Sequence, residues 1–142
     1  MIRTPETEQE WHTYYQLRFD VLRAPWGQEP GSEKTIDEAA HRHFAYFNTA
    51  NEILGVGRLD LLDRTKAQIR FMAVTAQVQK TGVGRQLMQQ MEKVAKAEGI
   101  QFIELHAREQ ALDFYKKIGY QHIEKSHLLF GEIQHYLMSK QL

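Results

Sequence analysis

The chain has no cysteine, which excludes a disulfide framework, a thiolate zinc site and a cysteine nucleophile. It also has no net charge: 18 basic residues face 18 acidic ones. The two sets are spread evenly enough that no general nucleic-acid or membrane-surface field arises, so neither partner is expected. No apolar run approaches the ~20 residues of a membrane span, and Met1 to Glu10 lacks a signal-peptide core. Only three prolines interrupt its 142 residues. What is present is ordinary globular composition, 42% hydrophobic and 25% charged, which argues against disorder. The expectation is a single cytoplasmic domain spanning residues 1–142.

Periodicity organises the chain into a mixed α/β fold. Thr7-x-x-Glu10 reads as a capping box, and Trp11 to Leu22 carries aromatic and aliphatic residues at helical spacing. Ala24 to Ser32 holds two prolines and two glycines and stops that helix. Ser32 is placed to cap a short second helix reaching about Ala40. His43 to Phe47 and Ile53 to Leu62 read as a hairpin, and Ala67 to Val74 as a third strand. A long amphipathic helix starts near Gly82 and ends at Gly99. Ile100 to His106 is an apolar strand, Glu109 to Ile118 a helix, and Tyr120 to Met138 a last hairpin turned at Phe130-Gly131. The strand–helix–strand unit from Ala67 to His106 is a crossover, so that pair is expected to be parallel in a mostly antiparallel sheet with helices on both faces.

The chemistry concentrates in Gln79-Lys80-Thr81-Gly82-Val83-Gly84-Arg85, between a strand and the long helix. Glycines admit a ligand close to the backbone, and free N–H groups at a helix start form an anion site. The segment lacks the Gly-Lys-Ser/Thr of an ATP-binding P-loop and the third glycine of a dinucleotide fingerprint. Spacing alone leaves two readings open, a pyrophosphate cradle and a tight strand–helix turn.

Gln79-x-x-Gly82-x-Gly84 after an apolar strand resembles the acetyl-CoA loop of the GNAT N-acetyltransferase family. A second block agrees: Ala111-x-x-Phe114-Tyr115-x-x-x-Gly119-Tyr120 resembles the family's second signature, in family order. The resemblance covers nearly the whole chain and is weakest over residues 24–50. It implies the GNAT acyltransferase fold and acetyl-CoA as co-substrate, without a metal. In that reading the pantetheine arm pairs with the strand ending Met72-Ala73-Val74 by strand addition, and Gln79 to Arg85 hold the pyrophosphate. The acetyl group passes directly to an amine of a small molecule or peptide, and Tyr115 takes the family position of the acid beside the leaving sulfur.

A general base is less sharply marked. Glu104 and His106 share a strand face, close to the gap where the resemblance has the strand ending at Val74 splay from the strand Ile100 to His106, and each also suits an ordinary partnered sheet residue. His43 and His135 resemble positions in one branch of small bacterial GNAT proteins. Glu38, with Glu29, Glu33 and Asp37, makes the 24–50 segment acidic and suggests a cationic acceptor, whereas Arg58 on its strand suggests an acceptor carboxylate. His41 and His43 share a strand face but lack a third ligand, so no metal is expected. Arg108 stands where many relatives have asparagine. The rival reading is a non-catalytic acetyl-CoA or CoA sensor on the same fold, and an exposed sheet edge leaves a homodimer open.

Overall fold

The computed structural model describes all of residues 1–142. Strands β1 (Ile2–Arg3), β2 (Arg42–Phe47), β3 (Ile53–Leu61), β4 (Lys66–Val74), β5 (Phe102–Arg108), β6 (Gln121–Leu129) and β7 (Ile133–Gln141) form one sheet. Its order is β1-β2-β3-β4-β5-β7-β6. Every pairing is antiparallel except β4 with β5. Those two strands are joined through a helix, and the crossover makes them parallel.

Helix α1 (Glu8–Leu22) begins at Thr7, whose hydroxyl accepts from the Glu10 amide. It buries Tyr14, Leu17 and Leu22 against Ala45, Phe47, Val56 and Ala73 on one face of the sheet. Helix α2 (Val83–Ala97) covers the other face with Val83, Leu87, Met88, Met91 and Ala95, over Leu59, Ala67, Ile69 and Ile103. The short helix α3 (Leu112–Lys117) adds Tyr115 to that second core. Because both faces are covered, β3 is buried along almost its whole length.

The structure differs from the sequence expectation in four places. The helix expected from Ser32 to Ala40 is a series of turns ending in one 3₁₀ turn, Glu38–Ala40. Carboxylates there bond amides within the segment and hold it in turns: Glu33 accepts from Gly31, and Glu38 from Thr35. The helix expected over Glu109 to Ile118 splits into a 3₁₀ turn, Glu109–Ala111, followed by α3. The strand placed at Ile100 to His106 lies two residues later. Residues Ile2–Arg3, unassigned from sequence, pair with Tyr46 and Ala45. The final turn forms as expected, with positive φ at both Phe130 and Gly131.

Candidate active site

Strands β4 and β5 pair only from Lys66–Gln68 to Phe102–Glu104, and then they part. Past that point β4 carries a bulge: Arg58 pairs with Arg70 and Val56 with Ala73, and Phe71 between them takes φ 54°. The edge of β4 that faces β5 therefore has no strand partner beyond Gln68. A cavity of about 400 Å³ occupies the opening, lined from β4, β5, the end of α1, α3 and the β6–β7 hairpin.

The cavity has two unlike walls. Ile69, Leu105, Ala107 and Tyr115 belong to the core under α2 and α3, and make an apolar side. By period-2 alternation Arg70, His106 and Arg108 point to the opposite face, the one that carries α1. Arg23, His127 and His135 join them there, and no carboxylate lines the cavity.

Tyr115 sits in the apolar wall at 8% exposure, its ring edge-on to Phe114 and Tyr120. Burial pushes its phenol up to about 12, so it keeps its proton at neutral pH. Across the opening, His106 Nδ1 lies 3.0 Å from the Ser126 hydroxyl. His135 Nδ1 lies 3.0 Å from the Ile133 carbonyl, an acceptor, which fixes the proton on Nδ1 and leaves Nε2 as a base. The rings of His127 and His135 stack at 4.3 Å. Burial holds both His106 and His135 below the ordinary histidine value, with the neighbouring His127 adding repulsion.

Of the other residues marked in the sequence, Met72 also lines the cavity, while Glu104 does not. Glu104 lies where β4 and β5 are still paired, 3.8 Å from Lys66 Nζ. Glu38, His43 and Arg58 lie away from the opening, in a buried polar network. Arg58 is fully buried, holds Asp60 with two bonds of 2.7 Å, and donates to Glu38 at 2.9 Å. Glu38 also takes Arg18 at 2.9 Å. His43 Nε2 donates to the Glu38 carbonyl at 2.7 Å, so its Nδ1 accepts from Tyr14 at 2.8 Å. These groups spend their hydrogen bonds on one another and fasten the 24–41 segment to α1 and β3. Arg23, Arg70 and His127 were not marked from sequence. On a strand, Arg70 reads as a surface residue, and His127 sits where the β6–β7 register shifts.

The glycine-bearing loop follows β4 after one 3₁₀ turn, Ala76–Val78. Lys80 has φ 66° and Gly82 φ 95°, and Gly82 caps α2. The first intrahelical bond runs from the Gln86 amide to the Gly82 carbonyl, so the preceding N–H groups of the first turn point outward unpaired. Gly84 has a packing role as well: a Cβ there would stand 3.3 Å from the Phe114 ring. Gln79 to Arg85 thus present donors and the positive helix end at the mouth of the opening, an arrangement that suits a pyrophosphate.

The sequence model of the acetyltransferase (GNAT) family matches residues 10–120. The chain belongs to the GNAT acetyltransferase family. A Bacillus subtilis (strain 168) protein named provisionally as an acetyltransferase is 28% identical over 138 residues, spanning 95% of this chain and 92% of its own. Among solved structures, an aminoglycoside 6'-N-acetyltransferase complexed with coenzyme A superposes with a TM-score of 0.83 at 16% identity, covering 99% of this chain and 96% of the other. A GNAT acetyltransferase from Elizabethkingia anophelis with acetyl-CoA bound gives 0.74 at 19% identity, covering 100% and 97%. At these identities the two structures establish the GNAT fold, with its mixed sheet and parallel β4–β5 pair.

Proposed function

We propose that this GNAT chain is an acetyl-CoA-dependent N-acetyltransferase acting on a primary amine of a small molecule or peptide. The observation that carries the reading is the opening between β4 and β5, with a protonated phenol in one wall and, in the other, the imidazoles of His106 and His135 held below the ordinary histidine value. Acetyl-CoA bound there supplies an acetyl thioester. The loop Gln79 to Arg85 holds its phosphates, with the amides left free at the first turn of α2, and the unpaired edge of Met72, Ala73 and Val74 takes the arm as an added strand. His106 Nε2 removes the proton from the attacking amine, directly or through water. As the new C–N bond forms and the C–S bond breaks, Tyr115 gives its proton to the departing sulfur. Much of the rate comes from holding the two reactants in one small opening.

The test is calorimetric titration with acetyl-CoA, CoA and ATP, then thiol release over an amine panel. Acetyl-CoA and CoA are expected to bind and ATP to fail. Tyr115→Phe is expected to cut kcat on the order of 10²-fold with little change in acetyl-CoA affinity. Unchanged turnover would return Tyr115 to a packing role. Binding with no thiol release from any amine would favour a CoA sensor.

A further inference from the structure

The acceptor wall of the cavity is built for negative charge. Three arginines, Arg23, Arg70 and Arg108, and three histidines, His106, His127 and His135, line one opening that contains no aspartate or glutamate. Of the six arginines elsewhere in the molecule, four are neutralised: Arg3 by Glu6 and Glu10, Arg18 by Glu38, Arg42 by Glu98, and Arg58 by Glu38 and Asp60; the other two, Arg64 in the β3–β4 turn and Arg85 on α2, are solvent-exposed and lie outside the cavity. Arg23, Arg70 and Arg108 form no salt bridge. Their guanidiniums rest on aromatic faces instead: Arg108 lies 4.6 Å from the Trp26 ring centroid, Arg70 4.9 Å from Phe71, and Arg23 5.4 Å from Phe130. A flat ring supports the guanidinium plane and leaves the N–H edges of Arg70 and Arg108 free for an oxygen pair, whereas Arg23 spends Nε and one Nη on the Ser32 and Leu22 carbonyls. Burial lowers the pKa of all three, and each of them is further lowered by another arginine. Cations without a carboxylate partner held close together, Arg23 and Arg108 partly buried and Arg70 exposed, are an electrostatic cost that an arriving anion reduces.

The acidic segment that pointed to a cationic acceptor does not line this wall, although Asp37 and Glu38 act on Arg70, and Glu33 on Arg23, from behind it. Glu38 is taken by Arg18 and Arg58, Asp37 by His41 and Thr35, and Glu33 binds the Gly31 amide. The phosphate cradle at Gln79 to Arg85 belongs to the start of α2, on the opposite face of the sheet from Arg70 and Arg108. Those two arginines therefore remain available to the acceptor.

We infer that the acceptor is a small amine that also carries an anionic oxygen group, a carboxylate or a phosphate, held by Arg70 and Arg108 while its amino group faces His106. This rests on the acetyl-transfer reading of the same cavity. Planar bidentate pairing by arginine suits both groups, so the shared chemistry is a pair of anionic oxygens beside a primary amine.

The experiment separates the inference from the reading beneath it. Protein saturated with CoA is titrated with glycine, L-glutamate, O-phospho-L-serine, phosphoethanolamine, glycinamide and spermidine. Thiol release from acetyl-CoA is then followed with the same panel. At least one carboxylate- or phosphate-bearing amine is expected to bind ten-fold or more tightly than glycinamide and spermidine. The carboxylate and phosphate arms tell the two sources apart. Arg70→Gln and Arg108→Gln should each raise KM for that acceptor about tenfold or more and leave the acetyl-CoA affinity in place, while Arg108→Lys should recover part of the loss. A panel in which neutral or cationic amines bind as well as the anionic ones, or in which no anionic amine binds, overturns the inference. If an anionic amine binds as described but no thiol is released, the inference stands and acetyl transfer fails.

Discussion

Phe71 is the point on which four arginines converge. The guanidinium carbons of Arg18, Arg58, Arg70 and Arg23 lie 4.4, 4.9, 4.9 and 5.6 Å from its ring centroid. The ring sits among them because the β4 bulge gives Phe71 a left-handed backbone, a conformation that costs a non-glycine residue about 1–2 kcal/mol. On one side Glu38 and Asp60 compensate Arg18 and Arg58; on the other Arg70 and Arg23 stay open to the cavity. Burial opposes ionisation of Glu38, yet the Thr35 amide and the two guanidiniums outweigh it and hold its carboxyl below the ordinary value of 4.5. A carboxyl lowered in this way stabilises the fold at pH above 4.5, and that contribution is lost as pH falls through the lowered value. Glu38→Gln leaves two fully buried guanidiniums short of charge, and should reduce the unfolding free energy by about 3 kcal/mol at pH 7. Urea denaturation of both proteins across pH checks this, since the difference between them should narrow as the wild-type carboxyl takes up its proton. A loss under ~1 kcal/mol at pH 7 would mean the network is not what fastens the 24–41 segment.

At the scale of elements, the contact of α2 with β3 depends on two residues without side chains. A Cβ at Gly55 would lie 2.8 Å from a Leu87 methyl and 3.1 Å from a Val83 methyl. At Gly57 the nearest atom is the end of Met91, at 2.7 Å. Leu87 is fully buried and Val83 is stiff at its branched carbon, whereas methionine bends out of the way. Gly55→Ala should therefore cost about 1–3 kcal/mol in thermal or urea unfolding, and Gly57→Ala distinctly less. Equal costs would show that Met91 has no room to move. Local repeats made α2, the β2–β3 hairpin and the Phe130-Gly131 turn legible in the sequence, because each states its own period or its own turn residues. The 24–41 segment carries no such period. Its acidic side chains are spent on amides and guanidiniums brought from α1 and β3, and those contacts exist only after folding. That is why Glu38, His43 and Arg58 read from sequence as acceptor residues. The apolar wall was legible through the Phe114-Tyr115 block, while the basic wall was hidden because Arg23, Arg70, Arg108 and the three histidines come from five separate stretches of chain.

For the molecule as a whole, the sheet behaves as two parts joined at a narrow neck. One part is β1 to β4 with α1, the other β5 to β7 with α3. Three paired residues of each central strand and the covering helix α2 hold them together. The outer edge of β4 remains paired to β3 up to Val74, and that of β5 to β7 up to Arg108. Only the inner edges are left without partners. In a strand successive N–H groups point alternately to the two sides, and the bulge at Phe71 shifts that alternation, so the β4 amides past Gln68 that are not bonded to β3 face the opening. Those amides should exchange with solvent faster than their neighbours bonded to β3. Acetyl-CoA added at a hundred times its dissociation constant stabilises the folded state by about 2.7 kcal/mol, and in the proposed binding mode, as a strand added in the opening, it covers these positions directly. Hydrogen exchange resolved by residue should then show slowing at the β4 amides between Ile69 and Val74 that β3 leaves unbonded, together with the loop amides between Lys80 and Arg85. Slowing confined to Lys80–Arg85 would place only the phosphates and leave the opening unfilled. An even slowing along β4 would report general stabilisation rather than a strand bound at its edge.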